Sequence, residues 1–324
     1  MTITPARSPA TALRTAISVS GLRKSYGEHV VLDGIDLSIA EGTVFSLLGP
    51  NGAGKTTIVR ILATLTAPDA GQITVAGHDL ARDPNAIRAS IGVTGQFSAV
   101  DMYHNARENL QLMADLWHLP KRAGKQKVEE LLELFDLVEA AKKPVMLFSG
   151  GMKRRLDLAM TLVGSPQIIF LDEPTTGLDP RSRHTVWETI RTLVREQHIT
   201  IFLTTQYLEE ADQLADRVAV LDQGGIVAEG TVAELKGRIH GGHIVLTFAN
   251  PEALERAAGV LGEAGHRNDE DLTLQVPSDG SAYSVQTVLN KIDSRTVSHL
   301  SLHTPDLDDV FFALTGHNTH KDQS

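Results

Sequence analysis

Gly49-Pro50-Asn51-Gly52-Ala53-Gly54-Lys55-Thr56-Thr57 follows directly on the apolar run 44–48 and fits the pattern G-x-x-x-x-G-K-[ST]. In that setting the glycines let the backbone come close to a ligand and turn successive N–H groups toward it. A helix opening near Lys55 adds the positive end of its dipole. The chemistry is that of a polyphosphate cradle, with Lys55 reaching the β- and γ-phosphates and the Thr56 hydroxyl placed to ligate Mg2+. A second group stands far downstream, where residues 168–171 are apolar and run into Asp172 and Glu173. A buried parallel strand presents its ligands at its carboxyl end, which puts both acids beside the cradle. Asp172 is suited to hold Mg2+ through water, and Glu173 to orient or deprotonate an attacking water.

These groups need a parallel sheet to position them. Short strand patterns at 17–19, 30–39, 44–48, 168–171, 199–204 and 218–221 alternate with helical segments, which predicts a doubly wound α/β core over residues 16–237. A largely helical stretch at about 98–164 is expected as an inserted subdomain. Within it Val128, Leu131, Leu132, Phe135 and Val138 recur at helical spacing, which predicts one apolar face. The pattern changes near 236–242, and strand and helix signals then alternate on a smaller scale. We read residues 238–316 as a small α/β accessory domain, 1–15 as a disordered tail and 317–324 as a polar tail.

Three further segments resemble the ABC ATPase family. Ser149-Gly150-Gly151-Met152 is similar to its signature, Pro174 to Asp179 in EPTTGLD to the loop that crosses its dimer interface, and Gln96 to the glutamine that touches Mg2+ and the attacking water. The resemblance runs from about 17 to 236 and implies an ATPase with ATP and Mg2+ as ligands. Ser149, Gly150 and Gly151 open a helix with Leu156, Ala159, Met160 and Val163 on one face, so a hydroxyl, bare backbone and a helix dipole point at an anion. In the family that anion is the γ-phosphate held by a second subunit. One cradle and one signature per chain therefore imply a homodimer around two nucleotides. Tyr26 resembles the aromatic residue that stacks on adenine. The run Lys153-Arg154-Arg155 is expected on the exposed face of the signature helix.

One position departs from the family pattern. Most members carry a histidine after the strand that ends near Thr205, and this chain has Gln206, which donates a hydrogen bond without a charge. Glutamine there is typical of the daunorubicin-resistance type of exporter subunit. Residues 148–158, 204–212 and 307–311 resemble that group too. The resemblance implies export of a drug, antibiotic or lipid through separately encoded membrane permease subunits, with the chain held at the cytoplasmic face of the membrane by that permease.

Composition agrees with this reading. The formal charge of −10 argues against nucleic acid as a partner and against anionic lipid. No cysteine is present, which removes disulfides and thiolate metal sites. The best candidate span, 158–171, is interrupted by Ser165, Pro166 and Gln167, whereas a bilayer needs about 20 apolar residues, so no direct membrane insertion is expected. A soluble ABC ATPase of repair or translation, working without a permease, stays open as an alternative. A GTPase reading from Asp222-Gln223-Gly224-Gly225 and Asn290-Lys291-Ile292-Asp293 fails on spacing, because both lie far from the cradle.

Overall fold

The computed structural model describes residues 14–95, 99–238, 242–262, 265–303 and 306–315. The chain divides into two compact units at Thr231/Val232. Gln96 lies outside the described residues.

The first unit holds two sheets. β1 (Thr15–Tyr26) and β2 (His29–Ala40) pair antiparallel, so β1 already begins inside the stretch expected as a tail. The second sheet starts with β3 (Val44–Leu48), and β4 (Ala70–Val75) and β5 (His78–Asp79) complete the first in the order β2-β1-β4-β5. The second sheet adds β6 (Ile91–Thr94), β7 (Ile168–Asp172), β8 (Thr200–Thr205), β9 (Arg217–Asp222) and β10 (Gly225–Gly230), in the order β10-β9-β3-β8-β7-β6. It is parallel except for β10. Every residue of β3, β7 and β8 is buried, as expected of strands covered on both faces.

Alternate residues of these strands enter different cores. Phe45, Leu47, Phe170 and Phe202 pack with the antiparallel sheet and with α1 (Lys55–Leu62). Val44, Ile169, Leu171 and Leu203 pack with helices on the opposite face. One face of the central sheet thus carries a second sheet as well as a helix, where the strand–helix alternation predicts helices alone. After α2 (Pro84–Ser90), the inserted region contains α3 (Ala106–Leu116), α4 (Lys121–Leu134) and α5 (Gly150–Thr161). Val128, Leu131, Leu132 and Phe135 are buried as predicted, but Val138 is exposed. Asp136, at φ 51°, ends that helix before Val138 can join its face. α6 (Pro180–Gln197) and α7 (Leu208–Leu214) follow.

The second unit opens with α8 (Val232–Gly237), which packs on the last helix, α11 (Leu307–Thr315). Between them come β11 (His243–Phe248), α9 (Pro251–Leu261), β12 (His266–Asn268), β13 (Thr273–Pro277), α10 (Ala282–Lys291) and β14 (Val297–His303). The strands form an antiparallel sheet in the order β12-β13-β11-β14. Its core includes Ile244, Leu246, Leu254, Leu274 and Val288.

Register fixes the site. Leu48 lies level with Thr205, and Asp172 with Thr204, so the carboxyl ends of β3, β7 and β8 form one rim. Phe202 supports that rim, with its ring 5.5 Å from Phe45 and 5.7 Å from Phe170. Phe202→Ala is expected to cost about 3–5 kcal/mol and to lower the melting transition of the first unit in calorimetry. A transition at the original temperature would show that the stack does not carry the sheet.

Candidate functional site

The loop between β3 and α1 bends through positions that exclude side chains. A Cβ on Gly49 would clash with the Leu221 carbonyl oxygen, and one on Gly54 would lie 2.8 Å from a Leu32 methyl carbon. Gly54 also has φ 109° and opens α1 with no side-chain cap. The first amides of that helix have no intrahelical acceptors, which is the arrangement that receives an anion. A cleft of about 250 Å3 lies over them, lined by Pro50, Asn51, Gly52, Gly54, Lys55, Thr56 and Thr57, with Val31 from β2 and Glu173 from the end of β7.

Lys55 is only 5% exposed. Its ammonium donates to the carbonyls of Gly49 (2.7 Å) and Pro50 (3.1 Å) and lies 3.6 Å from Glu173 Oε1. Burial pushes the Lys55 pKa below the usual lysine value, and the charge of Glu173 offsets part of that shift. Glu173 sits just beyond β7 in the left-handed backbone region, at φ 50°. Such a conformation costs a non-glycine residue about 1–3 kcal/mol and persists where surrounding bonds hold it. Here Glu173 N donates to Thr204 O (3.1 Å) and Thr204 Oγ1 (3.2 Å). The Thr204 hydroxyl in turn donates to buried Asp172 Oδ1 at 2.5 Å. Thr56 offers a hydroxyl and Asp172 a carboxylate at this end of the sheet, both hard oxygen donors of the kind Mg2+ takes.

Ser149 caps α5 by accepting from Met152 N at 3.2 Å. Ser149, Gly151, Met152, Arg155, Ser182 and Thr185 line a different, smaller cleft of about 50 Å3. A Cβ on Gly151 would lie 2.7 Å from Ser182 Oγ, and one on Gly150 3.2 Å from a Leu178 methyl carbon, so the glycines let α6 close on the signature tip. Asp179 caps α6, accepting from Ser182 N (3.0 Å) and Ser182 Oγ (2.6 Å); these bonds hold its pKa below the usual carboxylate range.

The structure thus brings residues 49–57 and Glu173 together, with Asp172 beneath them. It does not bring Ser149, Gly150, Gly151, Asp179, Tyr26 or Gln206 onto the walls of that cleft. Tyr26 ends β1 half exposed, with the Lys24 ammonium 5.4 Å from its ring centre. Gln206 follows β8 and is partly buried. One expectation is corrected. In Lys153-Arg154-Arg155, Arg154 is buried, because its face of α5, which also carries Asp157, turns toward Gly95. Sequence reasoning also missed Val31, whose strand pattern is plain but does not say what the strand faces, and Thr204, an ordinary β-branched strand residue by type.

Residues 32–176 match the family model described as ABC transporter. The chain is 47% identical over 305 residues to a daunorubicin resistance ATP-binding protein of Streptomyces coeruleorubidus, covering 93% of this chain and 96% of that protein. It is 44% identical over 311 residues to a daunorubicin/doxorubicin resistance ATP-binding protein of Streptomyces peucetius, covering 93% of each. A solved ATP-binding subunit of an ABC transporter superposes with a TM-score of 0.61 at 26% identity, covering 69% of this chain and 93% of that one.

Charge-assisted hydrogen bonds are worth about 1.5–3 kcal/mol, so Lys55→Met should weaken ATP binding by about tenfold or more in calorimetric titration. In the unsubstituted chain, affinity should fall as pH rises through the lowered Lys55 pKa, at lower pH than for an exposed lysine. An unchanged affinity in Lys55→Met would remove this residue from the phosphate site.

Proposed function

The chain belongs to the ABC transporter family, as an ATP-binding and ATP-hydrolysing subunit of the daunorubicin-resistance type, and from that premise we propose that two copies clamp two ATP molecules between them to drive a separate membrane permease. The observation that carries this reading is the separation of the two anion-directed clefts. The phosphate cradle and the Ser149 tip line different cavities of one chain, so a nucleotide in the first is free to receive the second from another copy. Asp179 then lies in the loop facing the partner, and Tyr26 takes the adenine ring.

Within each site, Lys55 exchanges its two carbonyl acceptors for phosphate oxygens. Glu173 orients and deprotonates the attacking water from a position already fixed by Thr204. Gln206 donates a neutral hydrogen bond to the γ-phosphate. Thr56, Asp172 and Gln96 would hold Mg2+, which neutralises developing charge on the β- and γ-oxygens. The partner's Ser149 hydroxyl and helix tip meet the same γ-phosphate, and its loss on hydrolysis loosens the dimer.

A permease partner is supported by an apolar patch on the inserted helical region. Met102, Tyr103, Met146 and Leu147 are all exposed, Tyr103 by 86% and Leu147 by 73%. Their segments run side by side, with Met146 N donating to Met102 O at 3.0 Å and Val145 N to His104 O at 3.0 Å. Among the described residues no helix is long and apolar enough to cross a membrane. By its family we propose that the chain sits at the cytoplasmic face, held through the permease, and that the complex exports a drug, antibiotic or lipid. Resistance is the role named for the relatives.

Glu173→Gln should trap an ATP-bound dimer on size exclusion and lower turnover by about 100-fold or more. A normal hydrolysis rate in that variant would remove Glu173 as the base. Tyr103→Asp combined with Leu147→Asp should abolish co-purification with the permease while ATP binding by the free chain is retained. Undiminished co-purification would place the docking surface elsewhere.

A further inference from the structure

One buried group of charges takes no part in the scheme above. Arg154, on α5, is 8% exposed, and its Nη1 donates to Asp157 Oδ2 (3.1 Å) and to the carbonyl of Gly95 (3.1 Å). The other oxygen of Asp157 accepts from the backbone N–H of Ala99 (3.2 Å). A single ion pair on the signature helix therefore grips the chain on both sides of residues 96–98. Glu210, on α7, is fully buried nearby, where its Oε1 accepts from Thr175 Oγ1 (2.8 Å) and Trp187 Nε1 (3.1 Å). Arg154 Nε and Nη2 and Glu210 Oε2 have no hydrogen-bond partner among the described residues.

Stability alone is a poor reason for such a group. Desolvation of a buried pair commonly cancels its attraction, and apolar residues of similar size are often as stable. Here burial pushes the Asp157 and Glu210 carboxyls up and the Arg154 guanidinium down. What the ions provide and apolar residues lack is directed bonds to the backbone at two points flanking Gln96.

We propose that Arg154 and Asp157 are positioning residues that clamp the backbone at Gly95 and Ala99 to the signature helix, so that the placement of Gln96 at the ATP site follows the movement of that helix. The signature helix and the Gln96 segment are then coupled through one ion pair. The proposal rests on the role given to Gln96 above.

The test uses the full-length chain carrying Arg154→Met with Asp157→Leu, beside Gln96→Ala. Melting temperature and the KM for ATP should change little, while kcat falls about tenfold, equivalent to about 1.4 kcal/mol of lost transition-state stabilisation. Amide hydrogen exchange at Ala99, whose N–H bonds directly to Asp157, should accelerate. Arg154→Lys, which keeps the charge and one donor, should recover part of kcat. Should the double variant not fold, Asp157→Ala replaces it, removing the acceptor of the Ala99 N–H, with a loss of kcat and faster exchange at Ala99. Unchanged exchange at Ala99 overturns the clamp. Faster exchange with an unchanged kcat, where Gln96→Ala is impaired, overturns its role in positioning. If Gln96→Ala turns over normally, the role of Gln96 itself has failed, and exchange at Ala99 alone then decides the clamp.

Discussion

A buried ammonium group requires negative charge, and Glu173 and Asp172 offset only part of the burial of Lys55. Its two closest acceptors are neutral carbonyls, and the nearest carboxylate, Glu173, stands off at 3.6 Å. Removing a full charge from water costs several kcal/mol in real proteins unless bonds replace the hydration. The cradle around it supplies more positive potential, from the uncapped start of α1 and the amides that Gly49 and Gly54 allow to converge. Such a cradle attracts an anion, and a triphosphate matches its charge.

The rest of the first unit serves that constraint. Three wholly buried strands end at one level, which sets Lys55, Asp172 and Glu173 around one point without reliance on flexible loops. Thr204 is the small part on which much turns. Its carbonyl and hydroxyl hold the strained Glu173 backbone, and its hydroxyl donates to Asp172. In the proposed reaction, a carboxylate fixed in this way needs no reorganisation when water attacks.

Much of this was legible in the residues themselves, for physical reasons. The cradle is local: strand, glycine turn and helix are contiguous, so spacing alone specifies the geometry. The acid pair was legible because a fully buried strand has a definite carboxyl end. The antiparallel sheet was harder, since β4 and β5 are short, partly polar and exposed at their edges, and strand order is a long-range property. Arg154 was misread because a basic run usually marks a solvated face. The corrective signal was present: Asp157 lies three residues on, on the same helical face, among the apolar residues Leu156, Leu158 and Ala159. Opposite charges at that spacing inside an apolar helix mark a paired, buried site. The boundary between units was blurred for a similar reason, because α8 follows the first unit in sequence but packs on α11.

The central claim is that one chain's cradle and another chain's signature tip close on the same nucleotide. The chain has no cysteine, so introduced thiols report without background. Chains carrying Asn51→Cys and chains carrying Met152→Cys, both in a Glu173→Gln background, can be mixed and oxidised with and without ATP. The account predicts a disulfide-linked heterodimer that forms with ATP and is lost without it. A mixture that gives no such product at saturating ATP, with the permease present as well as absent, would contradict it.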